Sequence, residues 1–248
     1  MRGYGHLTKA LALSQLRDPI GFFFLLVLSP VVLVILGLIF GNEPTPQFGM
    51  RGPVDNMLPG LTVISILIIG VLSVPQNQLV LRSTGALTRL RVTPLRPRVY
   101  VAADLTVNSA LGLAGALLTV GVGVVVFGVE PPRHVAAMVA ALVLGLVAML
   151  AIGYTLAAVY PSVGAATGVG NVLMIVFMLT SGAFVPLDAV SGGVRTAMSV
   201  SPAYHLAQLV GASWRGQAWN GVSLVALVGV AAVFGALGTV LFRWDRAD

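Results

Sequence analysis

The sequence predicts an all-α integral membrane protein with six transmembrane helices, and three observations predict it. First, the chain of 248 residues is 57% hydrophobic and only 9% charged, with a mean hydropathy of +0.97, where an ordinary soluble domain carries about 25% charged residues. Second, the apolar residues fall into six runs, 19–40, 58–80, 105–129, 135–159, 164–186 and 219–242, none of which contains Asp, Glu, Lys, Arg or His. A helix needs about 20 such residues to cross the hydrocarbon. Third, the runs are continuous rather than alternating, and a lone helix satisfies its own backbone hydrogen bonds in lipid, so helices are predicted and a barrel is not. All 248 residues then form one transmembrane domain, with an N-terminal amphipathic helix, a short cytoplasmic helix between spans 2 and 3, and short re-entrant helices between spans 5 and 6.

Residues 1–18 place Tyr4, Leu7 and Leu11 on one helical face and His6, Lys9 and Arg17 on the other, with Leu13 and Leu16 falling on the polar side. Such a segment can lie in the membrane interface or be a plain basic flank. The first run follows at Asp18 and Pro19. It is too long for a signal-peptide core, contains Pro30 and is not followed by a small-x-small cleavage site, so it reads as a permanent helix. Pro30 and Pro75 should kink the first two spans. Loop 41–57 is rich in Gly and Pro with little helical pattern, and 130–134 is a tight turn. Segment 187–218 contains "GGVRTAMSVSPAYHLAQLVGASW", with Ala197, Val200, Tyr204 and Leu206 apolar, too short and interrupted to span. Pro202 should break it into two short helices, and Trp214 and Trp219 suit an aromatic belt. Within the spans, Gly112 with Ala116, Gly153 with Ala157, Gly164 with Gly168 and Ala231 with Gly235 repeat small residues at the spacing that permits close helix approach.

Segment 81–98, "LRSTGALTRLRVTPLRPR", holds Arg82, Arg89, Arg91, Arg96 and Arg98 and no carboxylate. Six spans put both termini on one side, and ten of the 14 lysines and arginines share that side with this segment, against Arg51, Arg133, Arg195 and Arg215 opposite. The positive-inside rule therefore makes both termini cytoplasmic. A topological role, or contact with anionic lipid, needs charge alone. The segment has more: Ser83 or Thr84 can cap a short helix over 85–91, Pro94 and Pro97 stop it, and Leu87, Leu90 and Leu95 give it an apolar side. A short, basic, partly apolar helix of this kind suits docking on an acidic or concave protein surface.

The sequence restricts the chemistry. Cysteine is absent, which removes disulfides, thiolate catalysis and cysteine metal sites. His6, His134 and His205 fall outside the six runs and read as interfacial or loop residues, so no Ser-His pair, metal site or carboxylate dyad is expected at membrane depth. The expected lack of an ionisable group within a span weakens an ion-coupled secondary transporter, which ordinarily keeps one there, although broken helices can bind sodium through carbonyls. No G-x-x-x-x-G-K-[S/T] loop occurs, so no cofactor is expected on this chain and any ATP must be handled elsewhere. The net charge of +6 is accounted for by the flanks, without nucleic acid. The polar residues Gln76, Asn77, Gln78, Asn108, Asn171, Thr180 and Ser181 can pair between helices. Alternatively Asn77, Asn171, Thr180 and Ser181 line a substrate path with Met174, Phe177 and Met178, which suit greasy substrates of varied shape.

Four stretches carry a family resemblance: the N-terminal segment ending in "LRDPIGFFFLLVLSPVVLVILGLIFG", the loop "GALTRLRVTPLRPRVYVAADL", the end of the fifth span "LTSGAFVPL", and "VSPAYHLAQLV". In order and spacing the chain resembles the membrane subunit of type-2 ATP-binding cassette (ABC) exporters, a class that includes drug, lipid and polysaccharide exporters. The resemblance implies that the loop is a coupling helix docking into a separate ATPase subunit, with Gly85, Leu87, Arg89, Leu90, Arg91, Thr93, Pro94 and Leu95 as docking residues. It implies ATP and magnesium in that partner subunit and not in this chain. A second permease copy or a related permease would complete the pore, and substrate would enter near spans 2 and 5 of the two permeases. Family members commonly carry one or two glutamates before the loop glycine, where Ser83 and Thr84 stand here, which shifts docking toward the arginines. The expected function is export of an amphipathic or hydrophobic compound (drug, antibiotic or lipid-like) across a bacterial inner or plasma membrane, in contact with membrane lipids. The alternatives are an ion-coupled secondary transporter and a non-transport scaffold subunit.

Overall fold

The computed structural model describes residues 2–44, 51–86, 97–185 and 190–241. Helix α1 (Arg2–Leu16) precedes α2 (Pro19–Leu26) and α3 (Leu28–Phe40). Next come α4 (Pro53–Thr62), α5 (Ile64–Ile68), a π-helical turn (Ile69–Ser73) and α6 (Val74–Ser83), which together make one long span. They are followed by α7 (Pro97–Phe127), α8 (Val135–Val159), α9 (Val163–Thr180), α10 (Gly192–Met198), α11 (Pro202–Arg215) and α12 (Gly221–Leu241). Five of the described spans are long and apolar enough to cross a membrane, and the pair α2 and α3 makes a sixth although bent by 51°. The protein is thus an all-α, multi-pass membrane protein.

Local chemistry explains the breaks. Asp18 caps α2, its Oδ1 accepting from the Gly21 amide at 3.0 Å, and Pro19 takes the first position where no N–H is needed. Pro30 cannot donate to the Leu26 carbonyl and its ring crowds that oxygen, so the bend expected of Pro30 falls at Val27, one turn upstream. Pro75 acts likewise: it deprives the Val71 carbonyl of a partner, and the π turn precedes it. The loosened carbonyls meet glycines of neighbouring spans. A methyl group on Gly153 would lie 2.6 Å from the Gly70 oxygen, and one on Gly170 2.7 Å from the Val71 oxygen.

Span 2 is the centre of the molecule, with Leu58, Leu61, Ile64, Ile66 and Leu67 fully buried. It is surrounded by α3, α7, α8 and α9, while α11 packs into the same core through Leu206, Leu209 and Val210. α12 leans on α8 and α11 and leaves most of its surface outward. α1 lies along α7, where the Tyr4 and Thr106 hydroxyls are 2.7 Å apart.

Several boundaries differ from the sequence expectation. Residues read as loop at 53–57 are helical, because Pro53 serves as the first helical residue and the Asp55 carboxylate accepts from the Gly52 amide at 3.3 Å. Span 3 begins at Pro97 and not at 105, and span 5 ends at Thr180 and not at 186. Segment 187–218 does form two short helices before and after Pro202, with Pro202 opening the second. Of the small-residue pairs, Gly112 and Gly153 meet neighbouring spans, whereas Gly168 and Gly235 face open space.

Candidate functional site

The site is built around the two ends of the arginine segment. On the upstream side α6 closes at Ser83, and Gly85 takes a positive φ of 68° to turn the chain out of the helix, its amide bonding the Arg82 carbonyl at 3.1 Å. The Ser83 and Thr84 hydroxyls both donate back to the Val80 carbonyl, at 3.0 and 2.8 Å. They finish the preceding helix, where the sequence suggested a cap for the following one. Leu87, Arg89, Leu90, Arg91, Thr93, Pro94 and Leu95, expected to dock on a partner, lie outside the described residues.

On the downstream side α7 brings in Tyr100, Asp104 and Asn108, one face at four-residue spacing. All three are buried. The Asp104 carboxylate accepts from the Tyr154 hydroxyl of α8 and, at 3.3 Å, from Gln78 Nε2 of α6. Gln78 Nε2 also donates to the Tyr100 hydroxyl at 3.0 Å, and Asn108 Nδ2 donates to the Asp104 carbonyl at 2.9 Å. One turn closer to the loop, Arg82 Nη1 donates to the Ala157 carbonyl of α8 at 2.7 Å. Polar groups from spans 2, 3 and 4 therefore converge at the membrane end that carries the arginine segment.

The helices that carry spans 2 and 3 thus run past the uncharged stretches and take in ionisable groups near their ends. Asp104 and Arg82 both lie within helices long enough to span, Val99–Phe127 and Pro53–Ser83. A span defined as an uncharged run had to begin one residue after Asp104 and stop two before Arg82. The local signal was Asp104 followed by Asn108 at i+4 within "AADLTVN", a polar face continuing into an apolar helix.

The residues expected to line a substrate path face different ways. Met174 and Phe177 are buried against the core, while Asn171 faces outward. Asn77 Nδ2 donates to Ser73 Oγ at 3.4 Å on its own helix. Thr180 Oγ1 donates to Ser201 Oγ at 2.7 Å, and Ser181, itself buried, donates to the Met178 carbonyl at 2.8 Å. Gln76 Nε2 donates to Thr167 Oγ1 at 3.3 Å, joining spans 2 and 5 with Asn171 one turn further along α9. A separate cavity of about 640 Å³ opens between α7, α8 and α12, lined by Leu105, Leu150, Tyr154, Phe234, Gly235 and Gly238.

At the opposite end of the molecule, His205 is buried in the helix α11 and not in a loop, one of the two places the sequence suggested. Its Nε2 is 2.8 Å from the Ser199 carbonyl and its Nδ1 3.1 Å from Ser223 Oγ of α12. Burial pushes its pKa below the ordinary value, and the Ser199 carbonyl partly opposes this.

A family model described as ABC-2 type transporter matches residues 3–213, from α1 through almost all of α11 and across the whole polar junction. The chain belongs to the ABC-2 type transporter family. A search of curated proteins gave no match. As an ABC-2 membrane domain the chain is a permease component, a non-catalytic transmembrane part of an ABC transporter, and the family implies an ABC ATPase partner. The helices that carry the polar junction lead into and out of the loop 81–98, which the sequence reading expects to dock on that partner.

Proposed function

We propose that this ABC-2 permease exports an amphipathic or hydrophobic compound, drug, antibiotic or lipid-like, from the cytoplasm or inner leaflet, driven by ATP and magnesium bound in a separate ATPase subunit. It pairs with a second permease copy or a related one in a bacterial inner membrane, with both termini cytoplasmic and α10 and α11 forming a re-entrant pair. ATP-driven closure of the ATPase subunits pulls the arginine segment of each permease and turns the cavity between permeases outward.

The observation that carries this reading is the placement of the five-arginine segment between the ends of spans 2 and 3 of an ABC-2 membrane domain. The test is co-expression with a cassette ATPase encoded beside it and purification through a tag on this chain alone. The native chain should retain the ATPase, and Arg89→Glu with Arg91→Glu should lose it. Failure of the native chain to retain any ATPase would overturn the reading. Asp104 favours one second reading, ion-coupled transport by this chain alone, because it is a buried acid within a helix that carries a span. That reading expects uptake or efflux by the chain alone in liposomes under a proton or sodium gradient.

A further inference from the structure

We infer that Asp104 and Arg82 are positioning residues that lash both ends of the arginine segment to α8, making α8 the rod that carries loop displacement to the opposite face of the membrane. The inference rests on the reading above and goes beyond it, because it names the helix that moves and the groups that make it move. Arg82 opens the segment and holds Ala157; Asp104 follows it and holds Tyr154. Both acceptors or donors on α8 lie within its last two turns. The two flanks of one loop thus converge on one helix end.

Asp104 is buried near the start of α7 and accepts hydrogen bonds from two other spans, and a hydrogen bond between membrane helices is worth about 0.6 kcal/mol on average. What the carboxylate supplies is geometry: it accepts from Tyr154 of span 4 and Gln78 of span 2 at once, while Tyr100 of span 3 holds the same glutamine. The three helix ends are fixed in one register, so none can move without the others.

The rest of α8 suits transmission. Its 25 residues extend over roughly 38 Å. Along its length Gly153 takes the Gly70 carbonyl, and Gly145 leaves room for Leu206 of α11, which any side chain there would strike. Just before its far end, the Arg133 and His134 amides donate to the Trp214 and Ser213 carbonyls at 3.2 and 3.1 Å, and Trp214 Nε1 donates to the Glu130 carbonyl at 3.0 Å. The helix is fastened to the arginine segment at one end and to α11 at the other.

The chain contains no cysteine, so single cysteines can carry spin labels without background. Labels at Val139 on α8 and Leu179 on α9, both exposed and both at the far end, read α8 against span 5 in the reconstituted complex with the ATPase subunit. Trapping that complex with magnesium, ATP and vanadate should shift the distance distribution in the native chain. Asp104→Asn, and Tyr154→Phe as a variant that keeps the ring packing, should lose the shift while still retaining the ATPase and its hydrolysis. Asp104→Glu should restore part of it. A shift that survives Tyr154→Phe, no shift in the native chain, or loss of ATPase retention in the variants would each overturn the inference. A native chain that never retains an ATPase fails the proposed function itself, a different result read at the purification step.

Discussion

Over an apolar stretch of 18 residues in each, spans 2 and 6 have nearly the same hydropathy, 2.4 and 2.5, yet 89% of the first stretch and only 11% of the second is buried inside the protein. Lipid tails are as apolar as a leucine-rich interface, so hydropathy cannot say which surface a membrane helix meets. The information lies in what interrupts the apolar residues. Span 2 carries two internal prolines, a π turn, and glycines at 60 and 70 pressed on the backbones of its neighbours. Span 6 carries Gly229 and Gly235 with nothing within 4 Å of where a side chain would begin. Glycine marks backbone contact within span 2, whereas in span 6 Gly238 alone, on the buried face, meets a neighbour, at Thr155.

The contrast is broken most severely at the contact between spans 2 and 4. In Gly153→Leu the first side-chain carbon would sit 2.6 Å from the Gly70 carbonyl and 3.1 Å from Val74 Cβ. A backbone oxygen cannot step aside as a side chain can. Overpacking ordinarily costs about 1–3 kcal/mol, and a backbone clash belongs at the upper end. Thermal unfolding in detergent should show a fall of several degrees or outright loss of folded protein. Gly235→Leu serves as the matched control on span 6, and an equal fall there would dissolve the comparison.

How much of this the sequence revealed follows from whether each signal is local. Val135–Val159 was predicted to the residue, because a bare turn and Tyr160 with Pro161 bound an uninterrupted apolar run. The start of span 2 was missed although Pro53 and Asp55 form a helix-opening signal, since prolines and glycines in "GMRGPVDN" argued for a loop. Gln78, Asp104 and Tyr154 come from three spans, and no periodicity says that they meet. The arginines were legible as charge, which needs no partner to be recognised; the groups that anchor their segment were legible only after folding.

A smaller effect concerns the one buried face of span 6. Ser223 is 1% exposed and touches His205 of α11. Tyr204, stacked edge-on beside His205 at 5.4 Å, is tied to Arg195 Nε at 3.1 Å, so a cation already lies close by. A histidine whose folded pKa is lowered binds fewer protons in the fold than in the unfolded chain. Its contribution is therefore full above its ordinary value of 6.5 and declines as the pH falls below it toward the lowered value. Melting temperatures compared at about pH 7.5 and about pH 5.5 should fall in acid for the native chain and fall less for His205→Gln. Equal slopes would show that the seam between α11 and span 6 does not depend on this neutral imidazole.

The smallest effect is expected on the outward face of span 6, and it sharpens the comparison more than its size suggests. Val225 is 71% exposed, so Val225→Ala exchanges one apolar group against lipid for a smaller one and leaves no cavity in the protein. Substitutions away from packed features ordinarily fall within about 0.5 kcal/mol, and the melting temperature of the isolated chain should stay within error of the native one. The same variant measured in the assembled transporter separates two meanings of exposure. An unchanged melting temperature there would mean that lipid covers this face in the working complex. A fall in the assembly alone would mean that another subunit covers it, and that the low burial of span 6 describes an interface awaiting its partner, where span 2 describes a core already closed.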